Sequence, residues 1–185
     1  MITSRKRKRS KQKIIPTLLI TKHQQTLNNL INSIYKNMTR KVLPPTYFYL
    51  CIGLIVLAHF IFPIKKIIYY PYNLFGILLI FFGIILNIWA WALFIKNKTT
   101  QNPYKTPNKF VVKGIYKITR NPMYLGMLMI LFGIAVFLGS LITFIFPIIF
   151  FIIINWLFIP IEENNMKQKF GNRYLEYKNK VRRWI

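Results

Sequence analysis

One cysteine, two histidines and three acidic residues, none of them aspartate, leave this 185-residue chain few routes to chemistry. Cys51 alone builds neither a disulfide framework nor a thiolate metal cluster, and it lies inside an apolar run. His23 and His59, with no third histidine and only distant glutamates, give no catalytic zinc site, so no metal is expected. Negative charge is almost missing: 27 Lys plus Arg stand against 3 Asp plus Glu, a formal net charge of +24. On a soluble domain such a balance points to nucleic acid, whose phosphates Lys and Arg neutralise. Here the basic residues fall in blocks between apolar runs and not on one face, so no nucleic-acid partner is expected. The runs themselves carry no charge, which argues against a transporter, where intramembrane charges mark the pathway.

What the chain does have is apolar surface, 54% of its residues, with 17% aromatic. Four segments stand out: Tyr47 to Ile64, Leu74 to Ile95, Met123 to Gly139 and Leu141 to Ile161, each about 17 to 22 residues long. That is the length a helix needs to cross roughly 30 Å of hydrocarbon. The expected fold is an all-α polytopic membrane protein with four transmembrane helices. Only Gly139 and Ser140 separate the third from the fourth, which predicts a tight helical hairpin, and Pro147 predicts a kink in the fourth. Lys and Arg number 11 before Tyr47, 2 in the Lys65 to Asn73 loop, 7 from Lys96 to Pro122, none in the hairpin turn and 7 after Ile161. The positive-inside rule then places both termini and the middle loop in the cytoplasm.

Residues 1–43 read as a separate basic region, disordered or lying on the membrane surface, with the unbroken basic run Arg5 to Arg9 suited to orientation and anionic lipid. Within the spans, Gly76, Gly83 and Ala90 recur every seven residues, as do Gly126, Gly133 and Ser140, predicting stripes for close helix approach. Asn87 and Asn155 are intramembrane amides whose default role is a hydrogen bond between helices.

Candidate chemistry collects on the basic side. Glu162 and Glu163 are adjacent at the end of the last span, where carboxylates oppose the helix macrodipole and call for a cationic or hydroxyl partner. A salt bridge to the middle loop is the plain alternative. Gly114 to Gly126 reads Gly-Ile-Tyr-Lys-Ile-Thr-Arg-Asn-Pro-Met-Tyr-Leu-Gly. Pro122 suits a first helical turn and Asn121 its N-cap, so free backbone N–H groups there, beside Arg120 and Tyr124, offer a place for a polar or anionic ligand group. Met166, Phe170, Tyr174, Tyr177, Val181 and Trp184 recur at helical spacing and predict an amphipathic C-terminal helix roofing a pocket, with Gly171 a place for a bend.

The succession Gly114, Tyr116, Arg120-Asn121-Pro122, Tyr124, Gly126, then Glu162-Glu163, then Phe170-Gly171, Tyr174, Tyr177 and Arg183-Trp184 resembles the isoprenylcysteine carboxyl methyltransferase and phospholipid methyltransferase group. Pro44-Pro45 and the stretch from Lys98 to Pro107 are also similar to bacterial members. The likeness runs from Pro44 to the C-terminus, making residues 44–185 a methyltransferase-like domain. It implies S-adenosyl-L-methionine as cofactor, held by Tyr116, Asn121, Tyr124, Glu162 and Glu163, with one of the two glutamates facing it. It implies Arg120 as the catalytic candidate, steering a carboxylate of donor or acceptor. It further implies a lipophilic acceptor such as a prenylcysteine carboxylate, an isoprenoid or a lipid amine, and a bacterial inner membrane or endoplasmic reticulum location. The family commonly has histidine where this chain has Asn121; an amide still donates and accepts hydrogen bonds but exchanges no proton near neutral pH. A sterol-reductase-like enzyme using a nicotinamide cofactor and a non-enzymatic membrane transporter or assembly protein are the competing readings.

Overall fold

The structure, a computed structural model, describes residues 42–62, 65–99, 102, 104 and 107–185, with Thr26 and Leu30 besides. The chain divides into Met1–Lys41 and Val42–Ile185. The reading made of the basic N-terminal region, including Arg5 to Arg9, falls almost entirely outside the described residues. The second unit is all-helical, with no strand among the described residues and two isolated bridges, Lys66 with Ser140 and Thr119 with Arg182.

Helix α1 is Pro44–Ile61, opened by proline in its first turn, where a missing N–H costs nothing. Phe48, Cys51, Ile55 and Ala58 form its buried stripe, while Tyr49, Leu50, Leu54 and Leu57 stay exposed. Apolar side chains on both faces are what a helix between protein and lipid requires. Helix α2, Phe75–Lys96, follows a 3-10 turn at Tyr72–Leu74, and α3 is Pro122–Leu138. The last span opens with a 3-10 turn, Leu141–Phe144, and continues as α4, Ile145–Ile153, a π turn, Ile154–Phe158, and α5, Ile159–Phe170. A final helix, α6, covers Asn172–Lys180.

Three helical segments, Pro44–Ile61, Tyr72–Lys96 and Leu141–Phe170, are long and apolar enough to cross a membrane, and α3 is a shorter apolar helix of 17 residues. The chain is a polytopic integral membrane protein.

The glycine stripes meet each other. A Cβ on Gly83 would lie 2.7 Å from the Gly126 carbonyl oxygen, and one on Gly133 would lie 2.6 Å from that of Gly76. Backbones this close gain dispersion contacts that larger residues would hold apart, which matters where lipid removes the hydrophobic drive between helices. Asn87 packs against Gly126, but its amide bonds the Gly83 carbonyl of its own helix at 3.0 Å, not another helix as expected. The hairpin forms as expected: Gly139 caps α3 at φ 71°, and its carbonyl accepts from Ile67 N–H at 2.8 Å, tying the Lys65 loop to the turn.

The last span is irregular, and the tail departs from its expected form. Regular helix is lost on either side of Pro147, which itself is buried within α4. The π turn ends where Ile159 N–H bonds Ile154 O, just ahead of Pro160, whose absent N–H leaves the Trp156 carbonyl without its usual partner. The amphipathic C-terminal helix is also shorter than its pattern suggested. Met166 and Phe170 belong to α5, Gly171 at φ 52° breaks the helix, and Val181 to Ile185 leave helical geometry altogether. The apolar positions nevertheless point inward throughout: Tyr174 and Val181 are buried, and the Trp184 ring lies 5.1 Å from Phe151.

Candidate active site

At the end of the bundle away from the hairpin turn is a cavity of about 300 Å³. Its wall comes from the start of α1 (Pro44, Pro45), the end of α2 (Phe94), the loop before α3 (Phe110, Tyr116, Arg120, Asn121), the first turns of α3 (Met123, Tyr124, Met127), α5 (Glu162, Glu163, Met166) and α6 (Tyr174, Tyr177). All six residues singled out from the sequence, Tyr116, Arg120, Asn121, Tyr124, Glu162 and Glu163, border this one space.

The two glutamates divide the work. Glu162 accepts a hydrogen bond from the Tyr124 hydroxyl across the α3–α5 contact. Glu163 turns to cations: Arg120 Nη2 at 3.1 Å, Lys178 Nζ at 2.8 Å and Arg183 Nε at 3.2 Å. The Glu163 and Arg120 side chains are 13% and 9% exposed, so their pairing is little screened, while Lys178 at 42% adds less. Arg120 Nη1 also donates to the Tyr174 hydroxyl at 3.4 Å, and its Nε is a buried donor without a partner among the described residues.

Asn121 departs from its expected capping role. It occupies the N-cap position of α3 without a side-chain cap bond, and its amide instead donates to the Arg183 carbonyl at 2.9 Å. The Thr119 hydroxyl donates to that same carbonyl at 3.3 Å and accepts from Asn121 N–H at 3.2 Å. The docked tail has replaced solvent as the partner of this turn.

Aromatic residues close the roof. Phe110 stacks on Phe170 at 5.1 Å and meets Tyr177 edge-on at 5.3 Å, and Tyr116 meets Phe94 edge-on at 5.5 Å. The Tyr177 hydroxyl donates to the Tyr116 carbonyl at 2.6 Å. Burial raises the pKa of the Tyr116, Tyr174 and Tyr177 phenols. Tyr116 is raised further by Glu162 and Tyr177. Tyr174 is pushed up to about 12 by burial and then by Glu163, against the pull of Arg120. Tyr177 is raised by burial against Arg120. These hydroxyls therefore stay neutral near pH 7 and serve as donors.

The sequence profile of the phospholipid methyltransferase family matches residues 72–173, from the turn before α2 into α6. The chain belongs to this family. The matched region contains all six candidate residues and leaves out α1 and the last residues of the tail. Two relatives fit the placement. A protein of Haemophilus influenzae (strain ATCC 51907 / DSM 11121 / KW20 / Rd), described as uncharacterized, is 43% identical over 63 residues, 34% of this chain and 100% of that protein. Protein-S-isoprenylcysteine O-methyltransferase B of Arabidopsis thaliana is 38% identical over 78 residues, 40% of this chain and 38% of that protein.

For a member of the phospholipid methyltransferase family, the least legible supports behind the site were Thr119, 1% exposed, and Asn155, whose Oδ1 accepts from Arg183 and Trp184; neither borders the cavity. Arg183-Trp184 stood out in the sequence as a motif, but nothing there said what its carbonyl and side chains hold.

Proposed function

We propose that the chain is an S-adenosyl-L-methionine-dependent methyltransferase acting on a lipophilic acceptor drawn from the bilayer, with the cavity on the cytoplasmic side. The observation that carries this reading is the Glu162 and Tyr124 pair, set in the wall of a cavity built mainly by the family-matched segment.

The donor set suits the cofactor. A carboxylate at Glu162 matches ribose hydroxyls or an ammonium group, and Tyr116, Asn121 and Tyr124 would frame the same ligand. The buried Arg120 Nε is left for an oxygen acceptor, and Glu163, taken by three cations, holds Arg120 in place more than it meets the ligand. A cavity of about 300 Å³ with aromatic walls is of a size for a small-molecule site. When bound, S-adenosylmethionine supplies a methyl group carried on a sulfonium. The chain's own residues then provide alignment, a buried negative charge at Glu162 toward a cationic donor, and a roof that excludes water. Transfer to a carboxylate needs no proton removed, so Asn121 meets that demand without acid or base chemistry.

The first turns of α1 and α3 border the cavity, and on this reading an apolar acceptor would enter from lipid between helices while the soluble donor would come from water. A prenylcysteine carboxylate, of the class named by the plant relative, an isoprenoid and a lipid amine all meet this description. The 25 to 2 split of Lys and Arg between alternate loops supports cytoplasmic termini and a cytoplasmic site. Sealed inside-out vesicles given tritium-methyl S-adenosylmethionine from outside should pass label into organic-extractable lipid, and sealed right-side-out vesicles should not. Label extracted from neither preparation would contradict the activity, and label from the right-side-out vesicles alone would contradict the orientation.

A further inference from the structure

The π turn in the last span brings Asn155 against the end of the chain. Asn155 Oδ1 accepts from Arg183 Nη1 at 3.2 Å and from Trp184 Nε1 at 3.1 Å. The backbone of Arg183 and of the residue before it, Arg182, then reaches the cavity wall. The Arg182 carbonyl accepts from Arg120 N–H at 3.1 Å, and the Arg183 carbonyl takes both the Asn121 amide and the Thr119 hydroxyl. Neither Asn155 nor Trp184 borders the cavity. The wall at Arg120 and Asn121 is thus shaped by a tail whose Arg183 and Trp184 side chains share one amide oxygen inside a membrane span, Arg183 also pairing with Glu163.

We infer that Asn155 is a positioning residue, acting through Arg183 and Trp184 to hold the C-terminal strap against Arg120 and Asn121. The ligand arm of its test rests on the proposed function; the strap itself does not. The chemistry fixes which substitutions matter. Only the oxygen of the amide is used by the tail, and it takes two donors, one of them cationic. Aspartate supplies the same acceptor and an attraction for Arg183, whereas leucine has the size but leaves both donors unpaired. Were Asn155 present only for helix packing in lipid, leucine would be the better tolerated of the two.

The full-length protein in detergent micelles gives two readouts: hydrogen exchange at the Arg120 amide, which reports strap docking, and titration with S-adenosylmethionine. Asn155→Leu is expected to raise exchange by about ten-fold or more and to weaken ligand binding by about ten-fold, whereas Asn155→Asp stays within about three-fold of the parent in both. Trp184→Phe, which keeps a ring on Phe151 and loses one donor, should fall between them. If Asn155→Leu matches the parent and Asn155→Asp does not, the strap role is overturned. Should Asn155→Leu fail to fold, Asn155→Asp and Trp184→Phe decide: parent-like exchange in the first with raised exchange in the second supports the role, and any other pair of results overturns it. A parent that binds no S-adenosylmethionine would defeat the proposed cofactor alone, leaving amide exchange to judge the strap.

Discussion

Glu162→Gln is expected to weaken S-adenosylmethionine binding by about ten-fold to one-hundred-fold while leaving the thermal melt nearly unchanged. Glutamine still accepts the Tyr124 hydrogen bond, so the α3–α5 contact survives, but the carboxylate that the proposed function sets against the ligand is gone. Charge-assisted hydrogen bonds of this kind are worth roughly 1.5 to 3 kcal/mol. Glu163→Gln should show the opposite balance. Its carboxylate holds Arg120, Lys178 and Arg183 together, and its loss strands a 9% exposed guanidinium. Breaking a buried pair on one side costs about 3 to 5 kcal/mol, so a fall in melting temperature of about 5 °C or more is the expected reading. Equal effects of the two substitutions on both measurements would remove the division of labour between the glutamates.

Gly133→Val is expected to destroy the α2–α3 interface. The added carbon would start 2.6 Å from the Gly76 carbonyl oxygen and 2.9 Å from the Ile80 backbone nitrogen, and neither can move without the helix it belongs to. Overpacking in a well-packed interior costs about 1 to 3 kcal/mol where side chains can yield, and more is expected where only backbone can. The measurement is recovery of monodisperse protein by size exclusion, followed by a melt. Gly53→Ala is the matched control, because a Cβ there meets nothing within 4 Å. It should be neutral, or slightly stabilising through helix propensity. If Gly133→Val melts with the parent, the glycine stripe is not a packing surface.

The legible features were those written in local patterns. Apolar runs of membrane length marked the spans, and seven-residue glycine spacing marked the faces on which α2 and α3 meet. The adjacent Glu162 and Glu163 were conspicuous in a chain with one other acidic residue, Glu176. What local patterns do not carry is a choice of partner. Asn121 has the chemistry of an N-cap, but the tail's carbonyl arrives from 62 residues away and takes its amide. The tail's apolar positions repeat at helical spacing, yet Gly171 turns the chain and the last residues give up helix to pair with Thr119. The π turn was hidden because Pro160 lies inside the apolar run that ends at Ile161, and the effect of its missing N–H on the preceding carbonyls appears only in three dimensions.

Titration calorimetry of the detergent-solubilised protein with S-adenosylmethionine, and separately with a nicotinamide dinucleotide, tests most directly whether the Glu162 cavity is a methyl-donor site. Saturable binding of S-adenosylmethionine, weakened in Glu162→Gln and absent for the dinucleotide, is the expected result. Saturable binding of the dinucleotide with none for S-adenosylmethionine would contradict it.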